Sequence, residues 1–315
     1  MTYHQTYKLT KEDEDLYVRE LLVRRFQFSS RLLRKLKVEG GVFLNGRPVR
    51  FRHKGRMGDV LQVRFPEESS YFEPEDIPLA VVYEDEDLLV VNKQPGLVIH
   101  PTKNYQSGTL ANALVHRMRL AGANYKIRFV NRLDRDTSGL VMIAKNAHCQ
   151  KHISDQMERN EVKKYYTAIV HGQPECDSGT IDLPVAKDPE HAARRKVMPE
   201  GLPSLTHYRV LERFCVQDGA LPGYALLELQ LVTGRTHQIR VHLTHIGLPI
   251  VGDELYGSLY GYEAGEDRMN RQALHAGGLV LTQPTSGQTI RLCTGLPDDM
   301  NACLEALRND CSQLP

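Results

Sequence analysis

The 315-residue chain contains no apolar run approaching the roughly 20 residues that a membrane-spanning helix needs. Its opening stretch, MTYHQTYKLTKEDED, has no apolar core of the kind a secretory signal requires. A cytoplasmic protein with no membrane partner is therefore expected. The six cysteines, at 149, 176, 215, 293, 303 and 311, form no Cys-x-x-Cys pair and read as free, mostly packed thiols. There is no P-loop and no Gly-x-Gly-x-x-Gly opening a helix, so no nucleotide cofactor is indicated. Regular alternation of strand and helix is also missing, which argues against a doubly wound parallel sheet.

A large net charge is absent too: the chain carries only +1. That balance hides a segregation. Residues 19–64 hold 13 Lys/Arg against 3 Asp/Glu, and residues 66–90 hold 9 acidic residues and no basic one. A dense basic segment favours a polyanionic partner, nucleic acid above all, over a merely solvated surface.

The basic segment reads as a small α+β unit. Thr10 and Asp13 have the spacing of a capping box, and Leu16, Val18, Leu21, Leu22, Val23 and Phe26 then recur at helical spacing. Ser29 or Ser30 starts a second helix. Its Leu32, Leu33 and Leu36 share one face, Arg31, Arg34, Lys35 and Lys37 occupy the others, and Gly40-Gly41 ends it. Asn45-Gly46 within VFLNGRPV predicts a hairpin, and GDVLQVRF (58–65) a further strand. Residues 67–77 lack periodicity and read as an acidic linker.

Beyond it, two apolar runs around the acidic turn EDED predict a hairpin within 79–101. Further strands are predicted at 139–145, 164–172, 205–214 and 225–234, and helices at 108–120, 147–160, 236–246 and 297–308. Strands separated by hairpin-length turns imply an α+β fold with a mixed, largely antiparallel sheet and flanking helices.

Three stretches carry chemically capable residues. NRLDRDTSGL (131–140) runs into the apolar VMIA. An aspartate near arginine at the head of a buried strand suits a nucleophile or base, but the same composition suits a polar turn. Composition and spacing alone favour the turn. TGRTHQIRVHLTH (233–245) places Thr-Gly before a helix start, a natural anion site, with His237, His242 and His245 close together. No metal is expected there: the segment is not His-Glu-x-x-His, and His237 and His245 lie on different helical faces from His242. In VKKYYTAIVHG (162–172), Tyr165 and Tyr166 are neighbours in a strand and must face opposite sides, which suits two structural tyrosines or one in the core and one facing a cleft as a platform for a base.

In combination these segments resemble the RluA family of RNA pseudouridine synthases. YEDEDLLVVNKQPGLVIHP, NRLDRDTSGLVMIAK, VKKYYTAIVHG, LVTGRTHQIRVHLTHIGLPIVGDELYG and RQALHAGGLVL occur in the family's order across about residues 78–300. SSRLLRKLKVEGGVFLNGRPV and GRMGDVLQV resemble the alpha-L, S-four-type RNA-binding domain. The resemblances imply a pseudouridine synthase fold over 78–315 and an RNA-binding domain over 1–66, joined by the linker 67–77. They make Asp134 the catalytic aspartate, leave Asp136 as a turn residue, and assign Arg235 as the arginine paired with Asp134 and Tyr166 as the active-site tyrosine. Arg132 is associated with the place of the flipped nucleotide, and Lys93 and His237 join it at the substrate. Arg24, Arg25, Ser30, Arg31, Arg34, Lys35 and Lys37 would face RNA. Two departures stand out: Asn131 replaces a histidine common in the family, and KQPG replaces Lys-Pro-x-Gly.

The implied reaction detaches uracil from C1′ of the ribose, turns it and rejoins it through C5. It needs no cofactor. The carboxylate would attack C1′, add to the base or remove a sugar proton. The expectation is a monomeric enzyme acting on ribosomal RNA, with transfer RNA as the alternative substrate and a non-catalytic RNA-binding assembly factor as the alternative class.

Overall fold

A computed structural model describes residues 4–65, 68–102, 105–215, 223–262 and 268–312. The segment 258–270, which follows the GDELYG motif, falls partly outside the described residues, as does the first residue of the linker, Glu67.

The N-terminal unit contains β1 (Gln5–Lys8), α1 (Val18–Arg24), α2 (Ser30–Glu39), β2 (Val42–Leu44), β3 (Arg47–Pro48) and β4 (Val60–Val63). Ser29 caps α2 by accepting a hydrogen bond from the Leu32 amide, and Gly40, at φ +71°, closes it. Asn45 and Gly46 both have positive φ, as the two-residue hairpin joining β2 and β3 demands. The capping box at Thr10 and Asp13 also forms, but it opens a single 3-10 turn over Lys11–Asp13, and the helix begins only at Val18. β1 was not expected: its four residues, QTYK, show little apolar alternation. It pairs antiparallel with β4 and completes a sheet ordered β1-β4-β2-β3. Leu21, Leu22, Leu36, Leu61 and Val63 are buried in a core of its own beneath that sheet.

The acidic connector contains no strand or helix among its described residues, yet it is tethered at several points. Glu68 pairs with Lys35 and Arg128, the Ser70 hydroxyl accepts from the Ile127 amide, and Phe72 and Ile77 enter an apolar cluster of the second half. Glu75 accepts from the Gly108 amide. The segment is a strap rather than a free linker. Among its described acidic residues, Glu68 neutralises two cations. The N-terminal unit is also docked directly: Phe28 and Phe65 pack on His148, and the Gln5 amide donates to Thr285 at 2.7 Å.

The second half is built from β5 (Ala80–Glu84), β6 (Leu88–Lys93), α3 (Leu110–Leu120), β7 (Arg128–Phe129), β8 (Ser138–Ala144), α4 (Ala147–Glu158), β9 (Lys163–His171), β10 (Ser178–Asp182), β11 (Val185–Lys187), β12 (Arg195–Val197), β13 (Leu205–Phe214), β14 (Tyr224–Leu231), α5 (Gln238–His245), α6 (Glu254–Gly257), β15 (Leu274–Thr282), β16 (Thr289–Cys293) and α7 (Asp298–Ser312). The central sheet runs β10-β13-β14-β9-β15-β8-β6-β5, with β16 added to β15 and β7 to β8. Only the β15–β8 pairing is parallel among the described strands, so the expected mixed, largely antiparallel sheet is what forms. That parallel seam is tight. A Cβ on Gly139 would lie 2.3 Å from the Ala276 carbonyl oxygen, so glycine is required there. β8 is buried along its whole length and lies at the centre of the sheet, between apolar clusters on its two faces. Among the described residues no helix is long and apolar enough to cross a membrane.

Candidate active site

The loop 130–137 enters β8 from the rim of the sheet, and four tethers hold it. The Asn131 amide donates to the Leu140 carbonyl and accepts from the Met142 amide, extending the pairing along β8. Leu133 packs into the core where two apolar clusters meet. Buried Lys93 donates to the Arg135 carbonyl at 2.8 Å, and Arg271 to the Asp136 carbonyl at 3.0 Å. Between these anchors the Asp134 carboxylate stands partly open to solvent, its side chain 29% exposed. Asp136 is bonded to its neighbour Arg135 within the turn. The two aspartates of the stretch are thus in different settings: one is met from outside the loop, the other is occupied locally.

Asp134 does not pair with Arg235. The guanidinium that meets it belongs to Arg240, whose Nη1 donates to Asp134 Oδ2 at 2.9 Å. Arg240 also makes a bidentate pair with Asp253, at 2.6 and 2.7 Å, and lies over the Tyr256 ring at 5.0 Å. Burial works against its charge, and Asp253 and Asp134 more than offset this, so its pKa is raised. Arg235 lies in the turn before α5, is exposed, and reaches only the Pro203 carbonyl, at 3.4 Å. The physical reason is position. Residues 238–244 of α5 are all buried, so an arginine within them must meet carboxylates. One outside that stretch need not. The sequence held part of this signal: Arg240 stands between Ile239 and Val241, and Asp253 follows in GDELYG.

His237 precedes α5 in the left-handed region, at φ 57°. Its Nδ1 is 2.9 Å from the Tyr256 hydroxyl, and its Nε2 is 3.8 Å from Asp134 Oδ2. Burial lowers its pKa, opposed by the charge of Asp134. Tyr166, on β9, is buried, and burial with the nearby charge of Asp134 raises its hydroxyl pKa. Tyr165 takes the opposite, more open face, as neighbours in a strand must. Burial lowers the pKa of Lys93 to about 7. Arg132 is exposed, with no ion-pair partner among the described residues. Asp134, Tyr166, Lys93 and His237 are therefore brought to one place, Arg132 lies at its edge, and Arg235 does not join them.

His242 is used structurally. Both ring nitrogens of His242 are taken, by the Thr206 hydroxyl and the Leu183 carbonyl. Among the described residues no group of three His, Cys, Asp or Glu is placed to hold a metal ion.

The expected RNA-facing set divides in two. Arg24, Ser30, Arg31, Arg34 and Lys37 are exposed. Arg25 instead pairs with Asp13 and Glu12, and Lys35 with Glu68. Asp13 is buried. Burial opposes its charge, but bonds from Thr10, Arg25 and Tyr7 lower its pKa to about 2. Arg25 is thereby committed to holding α1 against the preceding turn.

Residues 87–245 match the family described as RNA pseudouridylate synthase. A Bacillus subtilis protein named as an uncharacterized RNA pseudouridine synthase, YlyB, is 41% identical over 276 residues, 86% of this chain and 87% of that one. Ribosomal large subunit pseudouridine synthase D of Xanthomonas campestris is 37% identical over 293 residues, 90% of this chain and 86% of its own. Among solved structures, human RNA Pseudouridylate Synthase Domain Containing 1 superposes with a TM-score of 0.57 at 29% identity, covering 76% of this chain and 96% of that one.

Proposed function

The chain belongs to the RNA pseudouridylate synthase family, RluA type, and is an RNA pseudouridine synthase; from that premise we propose that it isomerises uridines of large-subunit ribosomal RNA, with Asp134 as the reacting carboxylate. The observation that carries the assignment is the buried Arg240, shared between Asp134 and Asp253. Attack on C1′, addition to the base and removal of a sugar proton all begin from the same anionic oxygen. Arg240 stabilises that charge, and Asp253 fixes the guanidinium so that it need not reorganise as the reaction proceeds.

A uridine in folded RNA reaches a recessed carboxylate only by leaving its stack, at a cost of a few kcal/mol. Exposed Arg132 fills the vacancy, and Tyr166 packs against the extruded base. Several relatives named ribosomal large subunit pseudouridine synthase D support the choice of ribosomal RNA over transfer RNA. In the same proposal residues 1–66 form an RNA-binding domain of the alpha-L type, acting through Arg24, Arg31, Arg34 and Lys37. Residues 78–315 form the catalytic domain of a cytoplasmic monomer that needs no cofactor.

Pseudouridine mapping in large-subunit RNA from cells carrying Asp134→Asn, compared with wild type and with cells lacking the protein, tests this. The expected result is loss of the same sites in both altered strains. Sites lost in the deletion but kept in Asp134→Asn would remove Asp134 from the chemistry and favour an assembly role.

A further inference from the structure

The arginine that does not reach Asp134 belongs to a second concavity. The β11/β12 hairpin, residues 200–202 and the turn at 234–236 enclose a cavity of about 370 Å³. Lys187, Arg195 and Arg235 line it against a single carboxylate, Glu200. None of the three cations has an ion-pair partner among the described residues. Among the described residues the Arg195 guanidinium donates only to the neighbouring Arg194 carbonyl, and Arg235 Nε to that of Pro203. Arg194, next in the hairpin, is by contrast spent on the Leu255 carbonyl and the Ser258 hydroxyl. A concave surface with three uncommitted cations is suited to an anion.

Its place relative to Asp134 narrows the anion's identity. The Arg195 amide donates to the Tyr256 hydroxyl at 2.8 Å, that hydroxyl is 2.9 Å from His237 Nδ1, and His237 Nε2 is 3.8 Å from the Asp134 carboxylate. One layer of side chains separates cavity and carboxylate. The layer is stiffened by the Tyr256 ring over Arg240. A nucleotide whose sugar stands at Asp134 carries its phosphates within about one nucleotide of that point. We propose that the cavity seats an RNA backbone phosphate next to the target uridine, with Arg235, Arg195 and Lys187 as its cationic donors. This rests on the reading of Asp134 as the reacting carboxylate. It gives Arg235 a role in place of the pairing with Asp134 that the motif resemblance implied.

The test combines RNA affinity as a function of salt with steady-state kinetics on a large-subunit ribosomal RNA transcript. It compares wild type, Arg235→Gln, Lys187→Gln/Arg235→Gln, Arg235→Lys and Asp134→Asn, with thermal unfolding as the check on folding. Arg235→Gln is expected to raise Kd and KM several-fold, with the loss falling on KM rather than kcat. The double variant is expected to flatten the slope of log affinity against log salt by about 0.7, the value for one single-strand phosphate. Arg235→Lys is expected to restore the slope. A fall in kcat with Kd and slope unchanged, or no change in either, would overturn the proposal. Failure of the Asp134 reading shows separately, as pseudouridine formed by Asp134→Asn. The salt slope reports on the cavity whether or not the variant is active.

Discussion

In the N-terminal unit Arg24, Arg31, Arg34 and Lys37 stand exposed, without ion-pair partners among the described residues, whereas at the head of β8 the one guanidinium of Arg240 is buried between two carboxylates. The exposed set acts at a distance, is screened by salt, and can be removed one charge at a time. The buried set acts as a unit, since deleting one member strands another in a poorly solvated place. In the proposed function the first gathers RNA, and the second holds the Asp134 carboxylate in place.

Breaking the buried set at its reacting end has the largest expected effect. Asp134→Asn should lower kcat by about 10²–10⁴-fold, the range for loss of a positioned acid–base or comparable group. RNA affinity, measured by filter binding, should stay near wild type. Arg240→Met should cost about 3–5 kcal/mol in denaturant unfolding, because Asp253 and Asp134 lose their shared cation. Asp253→Asn should lower kcat although Asp253 is not assigned to touch the substrate, and a double-mutant cycle with Arg240→Met should show strong coupling.

Lys93 sharpens the comparison through pH. Its pKa is about 7 in the folded protein and 10.5 ordinarily, so between these values the unfolded chain binds more protons. Stability should therefore rise with pH through that window, by up to about 1.4 kcal/mol per unit. Lys93→Met should remove its share of the rise and leave that of Lys164, whose pKa burial lowers to about 8; unfolding midpoints of both proteins from pH 7 to 10 check it. Equal slopes in both proteins would show that Lys93 keeps its proton.

The exposed set should give the smallest single effects. Each of Arg24→Gln, Arg31→Gln, Arg34→Gln and Lys37→Gln should reduce the salt slope by about 0.7–0.9 if it meets one phosphate. Stability should move by no more than about 0.5 kcal/mol. Removing residues 1–66 should remove these contributions together while the central sheet still unfolds cooperatively. It should also lower the melting temperature, because His148 loses Phe28 and Phe65. A non-cooperative transition would show that the docked unit is part of one folding core.

Much of this was legible in the chain. Strong apolar periodicity predicted β6, β8, β9, β13 and β14 and all four longer helices of the second half, because each buries a continuous face. Asn45-Gly46 and Gly40 marked a hairpin and a helix end, since few residues tolerate positive φ. Motif order pointed to Asp134, and the opposed faces of Tyr165 and Tyr166 followed from strand geometry alone. The short strands β1, β7, β11 and β12 were not read, since two to four residues carry little pattern, and neither were β10, β15 and β16; Gly277-Gly278 interrupts the apolar run of β15. The acidic strap looked like a linker because hydrogen bonds to Gly108 and Ile127 leave no trace in local composition.

The arginines of GRTHQIR mark the boundary between the two kinds of knowledge. Sequence by itself determined that a basic unit precedes a largely antiparallel sheet, and that a polar loop bearing Asp134 enters a buried strand. These follow from local periodicity, turn chemistry and charge density. Only the tertiary structure decided that Arg240 meets Asp134 across 106 positions while Arg235 turns toward Lys187 and Arg195. An ion pair depends on which face of a helix meets the sheet, and that is settled by the packing of distant residues.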